Sequence, residues 1–237
     1  MMKNLFRQAF AFKESQCIII TDKQEAINTA IESLKGNRKQ LEEYTKTHPK
    51  FLWTLKPIPI PENPPVAKRM AEVADKANVG PMAAVAGVLA DLAVEDMLAA
   101  GCQVAVVEDG GEISAVSNVP IDVAFAAGEE PLSKRFGFRL TEFPAGVATS
   151  SGRFSHALSF GDAEAATVFC RRAGLADAAA TAVANVVKGE DSNAAIGRGL
   201  DVAKSVEGVE GALILFKGSV GTWGRIPQMI KIDSGAL

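Results

Sequence analysis

Asp177 and Thr181 stand four residues apart in the run Ala176-Asp177-Ala178-Ala179-Ala180-Thr181-Ala182, with only alanine between them. Residues at that spacing share one side of a helix, so a carboxylate and a hydroxyl would face the same way. Both are hard oxygen donors of the kind Mg²⁺ takes, with waters and substrate phosphates completing its shell. A plainer use fits equally: Asp177 as a charge favoured at a helix N-terminus, and Thr181 bonded back into the preceding turn.

Three other segments carry polar groups at useful spacings. Gly146-Val147-Ala148-Thr149-Ser150-Ser151-Gly152 reads as a strand entering a polar loop. Thr149, Ser150, Ser151 and Gly152 could offer hydroxyls and backbone N–H groups to a phosphate, or form an ordinary loop. In Glu108-Asp109-Gly110-Gly111-Glu112-Ile113, the pair Gly110 and Gly111 permits positive φ and close backbone approach to a ligand, or simply a hairpin turn. His156, one of 2 histidines, follows the serine-rich loop, where a neutral imidazole would serve as a general base or lie idle at the surface. His48 precedes Pro49 and has no partner in sequence.

The elements that must position these groups follow from periodicity and punctuation. Residues 4–20 read as a hairpin, with Phe6, Phe10 and Phe12 on one face and Lys13-Glu14-Ser15 at the turn. Asp22 and Glu25 have capping-box spacing, opening a helix with Ala26, Ile27, Ala30, Ile31 and Leu34 on its apolar face. Gly36 is expected to interrupt it before a polar helix to about Thr47. The segment 56–65 holds five prolines and must be extended or turned. It reads either as a domain boundary or as a crossover within a single domain over 1–237, and the crossover is the reading adopted. In that reading 1–55 form an N-terminal hairpin with helices, and 66–237 the main core. Helices are predicted over 66–79, 82–100, 175–187 and 193–206. Strands are predicted over 104–107, 113–116, 121–125, 136–140, 145–149, 166–170, 212–216 and 226–232, with Gly128-Glu129-Glu130-Pro131 as one turn. Clustered strands in hairpins with helices beside them indicate an α+β fold, largely antiparallel, flanked by helices.

The chain has 237 residues, net charge −3 and 48% hydrophobic content, enough to bury a core without disulfides. So small and negative a charge argues against nucleic acid as a partner. Cys17, Cys102 and Cys170 are far apart and offer no zinc spacing, and their sparseness fits a reducing, cytoplasmic setting. The N-terminus lacks the apolar run of a signal peptide. The apolar run 81–90 is about half of the roughly 20 residues a membrane span needs, so no membrane is expected as a partner. An Ala-rich helix would suit the tight contact of a homodimer.

In order, Val107–Ile113, Ala148-Thr149-Ser150-Ser151-Gly152, His156 and Ala176–Ala182 resemble the ApbE family of flavin transferases. That family carries V-N-x-G-G-D-I, A-T-S-G, a histidine and A-D-A-x-A-T-A in the same order. The likeness covers roughly 80–187, reaching back to a helix that in the family reads A-K-G-Y-A-V-D. It is strongest toward short, uncharacterised prokaryotic ApbE-like proteins, and 1–55 have no counterpart. The resemblance implies an ApbE-like domain that binds FAD or FMN, or a related nucleotide, with Mg²⁺. It also implies cleavage of the pyrophosphate or transfer of FMN to a threonine of an acceptor protein. It puts the metal on Asp177, Thr181 and the carbonyl of Val85. Two departures bear on chemistry: Ala86 stands where the family has lysine, and Ser159 where H-x-x-D-P has its carboxylate. Both favour ligand binding over covalent transfer. A non-catalytic binding or protein-interaction module of the same fold is the alternative.

Overall fold

Alternation along the strands builds a sheet with two apolar faces. In Val104–Val107, Val104 and Val106 point one way and Ala105 and Val107 the other, and all four are buried. The computed structural model describes residues 5–124, 136–151 and 161–231. In chain order these form β1 (Phe6–Phe12), β2 (Ser15–Thr21), α1 (Glu25–Thr47), α2 (Lys50–Trp53) and α3 (Pro65–Ala77). A 3₁₀ turn, Pro81–Ala84, leads into α4 (Val85–Ala99), β3 (Ala105–Asp109), β4 (Glu112–Val116) and β5 (Ile121–Ala124). Then come β6 (Phe136–Leu140), β7 (Ala145–Ser150), β8 (Ala165–Cys170), α5 (Ala173–Val186) and α6 (Ser192–Ser205). The described chain closes with β9 (Val209–Phe216), β10 (Ser219–Gly224) and β11 (Gln228–Lys231).

Eight strands form one antiparallel sheet in the order β1-β2-β3-β4-β7-β8-β9-β10, and β11-β6-β5 form a second. The helices lie on one face of the large sheet, where Met70, Val88, Ala179 and Val183 pack with Val107, Ala148, Val168 and Ile214. On the other face Val106, Ile113, Val147 and Phe169 pack against Ile121 and Phe138 of the small sheet. Phe138 meets Phe169 edge-on at 4.9 Å. The α+β expectation, largely antiparallel and helix-flanked, describes this three-layer arrangement. Leu34, Leu41 and Phe51, before the proline segment, share the helix-side core with Met70 and Val88 after it.

Small residues let α4 and α5 touch. A Cβ on Gly87 would lie 2.4 Å from the Ala173 carbonyl oxygen, and one on Gly174 would lie 2.5 Å from Val88 Cγ2. The first meets backbone, so alanine at Gly87 would force the helices apart, whereas alanine at Gly174 would have to displace the Val88 side chain. Gly101, at φ +88°, ends the α4 segment.

Three local expectations are corrected. Asp22 does not cap α1; its Oδ1 accepts hydrogen bonds from Gln103 N and Val104 N, both at 3.0 Å, and so pins the entry to β3. A long-range pair of backbone donors outcompetes the local cap. Gly36 does not interrupt α1, which runs unbroken from Glu25 to Thr47. The roughly 1 kcal/mol cost of a helical glycine is offset by burial of Leu34 and Leu41 on either side. β10 is a strand that the sequence pattern did not reveal, because two of its residues, Gly221 and Gly224, are glycine. Lys217 at φ +50° and Gly218 at φ +72° make the tight turn that pairs it with β9. No single described helix is long and apolar enough to cross a membrane. The turn expected at 128–131 lies outside the described residues.

Candidate functional site

The N-terminal turns of α4 and α5 cross, and each helix caps the other. Neither has a side-chain cap of its own, yet the first N–H groups of any helix need acceptors. Asp91, from α4, accepts from Ala173 N and Gly174 N at 3.0 Å each, and from Ser114 Oγ at 2.7 Å. Asp177, from α5, accepts from Gly87 N at 3.0 Å through Oδ2. Its Oδ1 has no hydrogen bond among the described residues. Asp91 is therefore fully committed, whereas Asp177 keeps one oxygen in reserve.

Strand alternation decides which sheet residues join them. In β4, Ile113 and Ala115 face the small sheet, which turns Glu112 and Ser114 toward the helices. In β3, Ala105 and Val107 face the helices, and Asp109 shares their parity. In β7, Ala148 lies on the helix side and Val147 on the other. Ser150 thus faces the helical layer, while Thr149 faces away. Thr149 Oγ1 bonds Thr167 Oγ1 at 2.8 Å, and Ser151 Oγ lies 3.5 Å from the Ala163 carbonyl.

The turn of Gly110 (φ +69°) and Gly111 (φ +113°) precedes β4 directly. The pairing of Ile113 with Val147 places that turn at the end of the sheet toward which β7 runs to Ser150. Asp177, Glu112, Ser150 and the Gly110-Gly111 turn are therefore gathered at one end of the helix–sheet interface. Thr181 is half-buried one helical turn beyond Asp177. Val85 is the first residue of α4, two residues before the N–H that Asp177 accepts. Gly152, His156 and Ser159 lie outside the described residues.

The electrostatics of this interface are one-sided. Burial raises the Asp177 carboxyl to about 7, opposed by the Gly87 N–H and helped by the nearby charges of Asp109 and Asp91. Glu112 is pushed well above the usual carboxylate range, by burial first and then by Asp177. Asp109 is also raised by burial, with Ser15 Oγ donating to it at 3.1 Å. Beside it the Cys17 thiol is pushed up to about 12 by burial and the Asp109 charge. Among the described residues, the charges acting on Asp177 and Glu112 are carboxylates. Glu112, Asp109 and Asp91 were not singled out as site residues from the sequence. The signal was present, since Glu112 stands at the acidic position after the glycine pair and Asp91 at the end of the small-residue helix.

Among the described residues no three of the His, Cys, Asp and Glu side chains are placed to hold a metal together. A hard cation here would rest on Asp177 Oδ1 with hydroxyl, carbonyl, water and phosphate oxygens, a set suited to Mg²⁺ rather than to a soft metal.

The profile of a family described as AbpE bacteria matches residues 2–207. The chain belongs to this AbpE family. The match takes in the first 55 residues, for which the motifs alone offered no counterpart. A UPF0280 protein of Methanosphaerula palustris is 39% identical over 229 residues, covering 96% of this chain and 94% of that protein. Another, from Methanococcus vannielii, is 35% identical over 234 residues, covering 97% and 94%. Among solved structures, an apbe protein from Thermotoga maritima superposes with a TM-score of 0.62 at 12% identity, covering 98% of each chain. The apo form of the Pseudomonas stutzeri flavinyl transferase ApbE gives a TM-score of 0.60 at 15% identity, covering 93% of this chain and 94% of that one. At such identities the likeness is one of fold: this AbpE-family chain has the ApbE architecture.

Proposed function

We propose that this chain binds a flavin dinucleotide, or a related pyrophosphate-bearing nucleotide, together with Mg²⁺ where α4 and α5 cross, and hydrolyses the pyrophosphate. The observation that carries the reading is the pair Asp177 and Glu112, half-buried, raised by burial and acted on, among the described residues, by other carboxylates. Such a pair is costly when ionised, and a divalent cation would relieve it. The fold it shares with a protein named as a flavinyl transferase supports the choice of ligand.

Mg²⁺, when bound, would offset phosphate charge and polarise the pyrophosphate oxygens. The chain's own residues then divide the work. Asp177 Oδ1 and the Thr181 hydroxyl hold the cation, with the Val85 carbonyl as a third oxygen. Gly110 and Gly111 lack side chains, so a phosphate or ring can approach their backbone. Ser150 offers a hydroxyl from the sheet. His156 serves as the general base that takes a proton from the attacking water. Transfer of FMN to an acceptor protein is weak or absent in this reading, because Ala86 removes a cation and Ser159 a carboxylate.

One observation favours a second reading. Asp177 already has a structural task, capping α4 through Gly87 N, so a non-catalytic module would retain it too. Thermal melts with FAD, FMN and ADP, each with and without Mg²⁺, separate the two readings from an empty scaffold. A ligand at about 100 times its Kd stabilises by about 2.7 kcal/mol. The proposal expects a shift with FAD plus Mg²⁺ that exceeds the sum of the separate shifts, and release of FMN and AMP on incubation. A shift without product supports the binding module. No shift with any nucleotide refutes both.

A further inference from the structure

The strongest feature outside the site is an apolar ridge at α2 and the start of the proline segment. Trp53 is 77% exposed, Leu55 53% and Leu52 37%, with Ile60 at 48% further along. Solitary exposed apolar residues are normal, but a tryptophan and two leucines within four residues mark a contact surface. The ridge is anchored rather than loose. Phe51 is 1% exposed and meets Tyr44 edge-on at 5.3 Å. The Thr54 hydroxyl bonds both the N–H and the carbonyl of Lys56. On the single turn of α2, Trp53 projects roughly opposite to Phe51, so burying one side chain drives the other outward.

The charges beside the ridge select its occupant. Lys50 and Lys56 lie within three residues of Trp53, are exposed, and form no ion pair among the described residues. A second copy docking by two-fold symmetry would bring these lysines toward their own counterparts, which is unfavourable. A protruding Trp and Leu flanked by long basic side chains instead matches an anionic lipid surface. Indole prefers the headgroup level, and each lysine gains from anionic headgroups. We propose that the Leu52–Lys56 ridge docks this protein peripherally on anionic membranes. The sequence expectation of no membrane partner rested on spanning length, to which a surface patch is invisible. The proposal is independent of the α4–α5 site.

The test is co-sedimentation of the full chain with large vesicles of phosphatidylglycerol, against vesicles of phosphatidylcholine, at low and at physiological salt. Wild type should bind the anionic vesicles, with binding falling as salt rises, and ignore the neutral ones. Trp53→Ala should weaken binding about tenfold, as expected for keeping one large apolar side chain in water. Lys50→Glu with Lys56→Glu should abolish it. All of these positions are exposed, so circular dichroism and melting should be unchanged. The proposal is overturned by absence of binding to pure phosphatidylglycerol vesicles, or by binding that these variants leave intact. A dimer in sedimentation velocity that Trp53→Ala dissolves would overturn it in favour of a second copy.

Discussion

Replacing Asp177 by Asn isolates the charge from the shape. The carboxyl titrates near 7 in the folded chain, against 3.8 ordinarily. A raised acid pKa means that the folded state holds the proton more tightly than the unfolded state. The stability that this one carboxyl contributes is therefore greatest below about pH 4, falls as pH rises from about 4 to 7, and stays low above. A displacement of that size corresponds to about 4 kcal/mol at full ionisation. Asp177 is partly open to solvent, and screening reduces the figure to about 2 kcal/mol. Asn keeps an oxygen to accept the Gly87 N–H, so the cap on α4 survives. For a chain of this size each kcal/mol moves Tm by about 2–4 °C. Asp177→Asn should thus melt about 4–8 °C above wild type at pH 8 and level with it at pH 4. Circular dichroism melts across that range make the measurement. Adding Mg²⁺ at pH 8 should raise the wild type and leave the variant unmoved. A variant that melts below wild type at pH 8, with the gap unchanged at pH 4, would refute the reasoning: Asp177 would then be a helix cap and nothing more.

Glu112→Gln should also raise Tm at pH 8, since the Glu112 carboxyl is held high by burial and by Asp177. It should weaken Mg²⁺ affinity about tenfold in isothermal titration if the two carboxylates share the cation, and unchanged affinity would separate them. Asp91→Ala strands two backbone donors and the Ser114 hydroxyl, at about 1–3 kcal/mol for each buried group left unpaired. Urea denaturation should show a loss of at least about 3 kcal/mol, and a loss under 1 would mean that water replaces the carboxylate. Gly87→Ala forces a Cβ to within 2.4 Å of the Ala173 carbonyl oxygen. It should cost about 1–3 kcal/mol and also weaken nucleotide binding by parting α4 from α5, whereas Gly36→Ala, with open space around it, should stabilise slightly.

Residue order alone carried the elements. Alternating apolar residues in Val104–Val107 and Ala166–Cys170 specify strands, small-residue runs at 82–100 and 175–187 specify closely packed helices, and Asp109-Gly110-Gly111 specifies a turn. These are local properties, set by a period of 2.0 or 3.6 and by which residues tolerate positive φ. The α+β class followed from them. What the sequence could not determine was partnership across the chain. Asp22 had a legitimate local role as an N-cap, and only the fold brought Gln103 N and Val104 N to it. Thr149, Ser150 and Ser151 read as one polar unit, yet the pleat sends Ser150 to the helical layer and Thr149 to the other face. Asp91 and Asp177 stand 86 positions apart in the numbering, and their reciprocal capping of α5 and α4 exists only because Gly87 and Gly174 let the helices cross. The gathering of Glu112 against Asp177 has the same origin. A carboxylate's type is written in the sequence, but its burial, its neighbours' charge and hence its proton affinity are properties of the packed structure.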